Sequence, residues 1–483
     1  MERISGPSFA SGSASTAGGG RPESGAVTAV LVEHLGEQAG DLPASAGAWP
    51  PYEHVNVQIA LDHWLAGEGT EHRAVGIAGS RHRLFGLADL LQPGQDLGMA
   101  PGSLSKVDRD CGPDDATYSC VQCGLYLVTQ GQTRTVILLR GSDQRGPQPN
   151  VTVEAVSTDP LAGRRILAEI RVLAIEHNVY RGHVVTFGSE PMRQEGGGLL
   201  SFRTRPVLDR DELILPDGLL EGIERQVLGV ARHRERLLAH GQHLKRGVLL
   251  YGAPGVGKTH TIRYLMSQMP GTTVLILTGA ALHFIHEACS IAAALAPALV
   301  VIEDVDLIAM DRDHYRGNAP LLFAMLNEMD GLRGDADVTF LLTTNRADVL
   351  EPALVDRPGR VDHAVELPLP DGRARARLLA LYRGGLDLDL LDPERIVERT
   401  EGVTASVLKE LLRRAALHAA EELPDDAPGS APDAPLTVTD RHLIAALDDL
   451  DDSRNLVTRR LLGAGVAESV RSASDPAAVP PST

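Results

Sequence analysis

Val248-Leu-Leu-Tyr251-Gly252-Ala-Pro-Gly-Val-Gly257-Lys258-Thr259 carries an apolar run into a glycine loop, and a helical stretch begins at Lys258. That strand–loop–helix setting is the one a phosphate-holding loop requires. Glycines let backbone N–H groups converge on phosphate oxygens, and the helix N-terminus adds the positive end of its dipole. Lysine at 258 reaches the β- and γ-phosphates, and the hydroxyl at 259 ligates Mg²⁺. Gly252, Ala253, Pro254, Gly255, Val256, Gly257, Lys258, Thr259 and His260 are therefore the candidate nucleotide contacts. A glycine-rich turn with a stray lysine would carry no such flanking pattern.

Outward from the loop, Leu299-Val-Val-Ile-Glu303-Asp304-Val-Asp306 is an apolar strand that ends on acids. In open α/β sheets such a C-terminal edge opens into the ligand crevice. Glu303, with Thr259, is the candidate for the Mg²⁺ shell, and Asp304 for polarising a water. Thr343-Thr344-Asn345 ends another strand, and Arg357-Pro358-Gly359-Arg360 follows. An amide at a strand tip can position the attacking water. Two arginines can neutralise charge on a transferring phosphoryl group.

Strands read at 248–251, 273–277, 298–302 and 338–345, with a fifth near AVELPL, alternate with helices. That order predicts a three-layer parallel α/β sheet of the P-loop NTPase class over 213–370. Beyond Pro370 the pattern turns helical, predicting a smaller lid over 371–462.

These stretches together resemble the AAA family of ATPases: RGVLLYGAPGVGKT, LVVIEDVD, LLFAMLNEMDGL, TTNRADVLEPALVDRPGRVD and LPLPDGRAR. The resemblance covers roughly 213–455. It implies that Asn345 is the sensor-1 residue, that Arg357 and Arg360 are fingers given to a neighbouring subunit, and that TEGVTASVLKELLRRAAL opens the lid. It also implies a homo-oligomer, a hexameric ring, using ATP and Mg²⁺. The family usually ends its acid strand Asp-Glu; here the order is Glu303-Asp304. That inversion is similar to the mitochondrial Rieske-protein translocase subgroup. The segment from Thr278 to Ala288, where family unfoldases carry a lysine–aromatic pore loop, is short and offers only Leu282-His-Phe284-Ile285.

The remaining chain carries less chemistry. Residues 1–50 and 463–483 are rich in Ser, Gly, Ala and Pro and are expected to be a disordered leader and tail. Residues 51–192 mix helical and β-rich runs, predicting an α+β N-terminal domain, with a linker over 193–212. Cys120-Val-Gln-Cys123 has metal-like spacing without a second pair, so two cysteines in a reduced core are expected. His286-Glu287 starts like a zinc-protease helix, but Ser290 stands where the second histidine is required. The acids at 448–452 read as a solvated helix end.

In 483 residues, 43% hydrophobic but only 4% aromatic, the core must rest on aliphatic side chains. A net charge of -18 opposes nonspecific binding to nucleic acid or anionic lipid. Few cysteines, no apolar span and no secretory h-region predict a soluble, cytoplasmic chain. The function expected is ATP hydrolysis coupled to remodelling or movement of a partner protein met by the N-terminal domain. The alternative is a nucleotide-gated scaffold with little hydrolysis. A nucleic-acid motor is disfavoured by the charge.

Overall fold

The computed structural model describes residues 26–79, 85–92, 97–143, 149–188, 199–306, 327–346, 361–422 and 435–451. These fall into two units, one of residues 1–109 and 118–177, the other of 110–117 and 178–483.

The first unit is built on β1 (Ala44–Trp49), β2 (Thr70–Ala78), β3 (Ala100–Gly102), β4 (Ser105–Asp110), β5 (Thr117–Gln130), β6 (Thr133–Arg140) and β7 (Val151–Ser157). They form a sheet in the order β1-β7-β6-β5-β2-β3, with β4 against β5. Both faces are covered, so the middle of β6, Val136–Leu139, is apolar and buried at every position. On β6, Ile137 and Leu139 pack towards helices His54–Leu65 and Ala162–Glu176, while Val136 and Leu138 pack towards helices Ala26–Leu35 and Leu87–Leu91. Part of the expected disordered leader is therefore structured. Val27, Leu31 and Leu35 recur at helical spacing and are buried against the sheet, and β1 follows from residue 44.

Glu53, at the start of the His54–Leu65 helix, accepts a hydrogen bond from Asn56 Nδ2 at 2.8 Å, yet burial lifts its pKa to about 7. An unfolded glutamate ionises near 4.5, so the folded form keeps a proton that the unfolded chain has lost between those values. Stability therefore falls as pH rises from 4.5 to 7, by about 3 kcal/mol in all. Glu53→Gln keeps an acceptor for Asn56 and removes the charge. Amide protection of this helix is expected to rise by up to about 100-fold at pH 8 and to change little at pH 4.5. Equal protection at pH 8 would contradict this.

The second unit contains β8 (Val184–Phe187), β9 (Leu200–Arg203), β10 (Arg246–Tyr251), β11 (Thr273–Thr278), β12 (Ala298–Glu303), β13 (Val338–Thr344) and β14 (His363–Glu366). The sheet runs β14-β10-β13-β12-β11-β8-β9, and every pairing is parallel except β8 with β9. The expected α/β sheet is present, and it is wider than expected. HVVTFG, read as part of the N-terminal domain, is β8 and pairs with β11. The expected linker supplies β9 and Arg205, whose Nη2 donates to Gly182 O at 3.0 Å and to Thr272 O at 2.6 Å. Helices Gly372–Tyr382, Pro393–Arg399, Ala405–Glu421 and Asp440–Asp451 follow around an apolar core of their own. A pair of three-residue parallel strands, Asp387–Asp389 and Thr437–Thr439, crosses what was expected to be wholly helical.

Candidate functional site

Three neighbouring strands, β10, β13 and β12, deliver the candidate residues from their C-terminal ends. After β10 the loop turns at Gly252, whose φ is +145°, and a Cβ there would lie 2.3 Å from Leu367 O. Only glycine fits. Gly257, at φ +110°, faces open space and leads directly into helix Lys258–Ser267. Val256 anchors the loop from below, 5% exposed in the core. His260, one residue past the hydroxyl, faces Glu212 O at 3.1 Å.

Lys258 is buried, and its Nζ donates to Gly252 O (2.8 Å), Ala253 O (3.0 Å) and Asn345 Oδ1 (2.8 Å). Burial draws its pKa down to about 8, against the pull of Asp304 and Asp306. Asn345 Nδ2 in turn donates to Asp304 Oδ1 at 3.3 Å. One chain of hydrogen bonds thus links the loop lysine, the strand-tip amide and the second acid across three strands. Asp304 has φ +52°, a left-handed conformation that Asp tolerates better than most residues but still at a cost. Its backbone N–H donates to Thr343 Oγ1 at 3.1 Å, and Val305 N–H to Thr343 O at 2.9 Å, which hold the turn. Glu303 takes a hydrogen bond from Thr259, and burial raises its pKa.

The donor set fits Mg·ATP. A glycine loop at a helix N-terminus, one buried lysine and a hydroxyl–carboxylate pair supply the groups that phosphates and a hard divalent cation use. Arg357 and Arg360 lie outside the described residues.

Two contributors were missed by sequence reasoning as site residues. Asp306, 5% exposed, accepts from Thr344 Oγ1 (2.9 Å) and Asn345 N–H (3.2 Å), so it holds the strand tip that carries Asn345. Its signal was present, as the third acid of LVVIEDVD. Ser406, at the start of the Ala405–Glu421 helix, donates its N–H to Gly255 O at 3.2 Å and ties that helix to the loop. It lies in TEGVTASVLKELLRRAAL, the stretch read as opening the lid, but only the fold brings it to the loop.

The short segment after β11 forms a tight turn, Gly279–Phe284, leading into helix Ile285–Ala294. Leu282 and Ile285 are buried, and Phe284 stacks on Phe187 of β8 with centroids 6.2 Å apart. Among the described residues no helix is long and apolar enough to cross a membrane, and no cluster of three or more metal-ligating side chains is present.

Residues 248–369 match the family described as "ATPase family associated with various cellular activities (AAA)". The chain is similar to the proteasome-activating nucleotidase of Thermococcus onnurineus, 31% identical over 44% of this chain and 57% of that protein. The corresponding protein of Pyrococcus horikoshii is 33% identical over 40% of this chain and 51% of its own length. The 26S proteasome regulatory subunit 8 homolog of Schizosaccharomyces pombe is 28% identical over 43% and 58%. The chain thus spans about half the length of the curated relatives it matches. None of these three belongs to the Rieske-protein translocase subgroup that the acid order suggested. The second unit therefore carries an AAA domain of the P-loop NTPase fold, matched over residues 248–369.

Proposed function

We propose that this chain binds Mg·ATP at the ends of β10, β12 and β13, hydrolyses it, and couples turnover to remodelling or movement of a partner protein. The hydrogen-bonded chain Lys258–Asn345–Asp304 is the observation that carries the reading. It brings a cation, a water-orienting amide and a base to one point, where in-line hydrolysis needs them. Thr259 and Glu303 would hold Mg²⁺, which when bound offsets negative charge on the phosphate oxygens. Asp304 accepts the proton of the attacking water, and Asn345 aims that water. Lys258 exchanges its carbonyl partners for phosphate oxygens.

Arg357 and Arg360 act in the site of a neighbouring copy, so the working form is a homo-oligomer, a hexameric ring as in the family. The first unit recruits the partner, and the cytoplasm is the compartment proposed. The proteasome-activating relatives favour a protein over a nucleic acid as that partner, as does the acidic balance. Phe284, packed against Phe187 rather than standing on a long loop, favours local remodelling over threading an unfolded chain.

Complementation tests the ring. Lys258→Ala and Arg357→Ala/Arg360→Ala proteins are each expected to lose turnover by 10³-fold or more, roughly the worth of an arginine finger. Mixed in equal amounts, they regain about a quarter of wild-type activity, because about a quarter of head-to-tail interfaces join two intact halves. No recovery from a mixture shown to co-assemble would sink the trans assignment.

A second reading, the nucleotide-gated scaffold, is favoured by one observation. Asp304 is a short acid held in a strained turn by Asn345, which suits sensing a nucleotide as well as cleaving it.

A further inference from the structure

β1 is the last strand of its sheet and pairs only with β7. Among the described residues its other edge has no strand beside it, and such an edge is a template for an added strand. Helix Ala162–Glu176 runs alongside, leaving a groove of about 620 Å³ lined by Ser45, Ala46, Leu161, Arg164, Ala168 and Arg171. Leu161, Ala168, Val172 and Ile175 recur at helical spacing on one face, and that face is turned outward. Leu161 is 68% exposed, Val172 55% and Ile175 45%. An apolar stripe of this kind beside an open strand edge marks an interaction surface rather than scattered surface leucines.

Charge selects the occupant. Arg164 and Arg171 flank the stripe, and among the described residues neither guanidinium has a carboxylate partner. Arg171 lies over the Trp49 ring, 4.9 Å from its centroid, which fixes its position at the end of β1. Among the described residues no acid lines the groove, in a chain whose net charge is -18. The two arginines stand two helical turns apart, about 11 Å, so an extended segment of about four residues passes both.

We propose that this groove docks an extended segment of a partner protein as an added strand on β1, with apolar and acidic side chains in turn at every second position, on the face turned to helix Ala162–Glu176. Main-chain hydrogen bonds to the β1 edge supply affinity, and alternate side chains supply specificity. Apolar residues of the segment cover Leu161 and Ala168. Its carboxylates meet Arg164 and Arg171, which can pair in two-pronged fashion. As the recruiting surface of the first unit it rests on the proposed function, but peptide binding is measured without nucleotide.

Random octapeptides displayed on phage are selected against the immobilised full chain, with Arg164→Glu/Arg171→Glu as the counter-target. Both arginines are exposed, and unchanged amide protection of helix His54–Leu65 confirms that the first unit of the variant is folded. Enriched peptides are expected to carry apolar and acidic residues in turn at every second position and to bind the variant at least about tenfold more weakly. They should also slow amide exchange over residues 44–49. No enrichment above a blank surface, basic consensus peptides, or equal binding to both proteins would overturn the proposal. So would protection of 44–49 that grows with protein concentration alone, since that places a second copy on the edge. Absent ATP turnover with peptide binding intact would fail the ATPase reading and leave this one standing.

Discussion

Asp304→Asn is expected to slow single-turnover hydrolysis of Mg·ATP by about 10²–10⁴-fold, the usual worth of a positioned base, while nucleotide binding is retained. The substitution is nearly silent structurally. Asn is as tolerant as Asp of the left-handed conformation at φ +52°. The backbone N–H of residue 304 still meets Thr343 Oγ1, and the amide oxygen still accepts from Asn345 Nδ2. Only the capacity to take a proton is lost. Because the acids stand in the order Glu303-Asp304, the carboxylate proposed as the base is one methylene shorter than a glutamate. Wild-type hydrolysis is therefore expected to be slow but real. Equal single-turnover rates in wild type and Asp304→Asn would remove Asp304 from the chemistry.

Asp306→Ala is expected to damage both stability and turnover. The side chain is 5% exposed and accepts from the buried Thr344 hydroxyl and from the Asn345 amide. Removing it strands the buried Thr344 hydroxyl, at about 1–3 kcal/mol. Asn345 then loses the contact that fixes its backbone, so kcat should fall while KM changes less. Asp306→Asn keeps one acceptor and should recover much of the stability and part of kcat. A merely structural role would show the stability loss with kcat per folded molecule unchanged. That result would take Asp306 out of the site.

The chemistry was legible in the sequence because it demands residue types at fixed places. Gly252 must be glycine where a Cβ would meet Leu367 O, Lys258 opens the helix after the loop, and Glu303 ends β12. Topology beyond those strands was less legible. HVVTFG has the same apolar character whichever sheet accepts it, and only tertiary pairing gives it to β11. The helix Ala26–Leu35 was hidden in a composition dominated by Ser, Gly and Ala. Its three-residue apolar stripe is diluted by its neighbours when the segment is weighed as a whole. Asp306 was visible as an acid but not as an anchor, since its role depends on Thr344 and Asn345 lying on the adjacent strand.

Phosphate release from Mg·ATP by the full chain, at concentrations where binding is saturated, decides whether the site cleaves the nucleotide it binds. Mg²⁺-dependent release above the uncatalysed rate is expected, rising per chain with protein concentration as rings assemble. Saturated binding with release indistinguishable from the uncatalysed reaction at every concentration would contradict it and leave a nucleotide-gated scaffold.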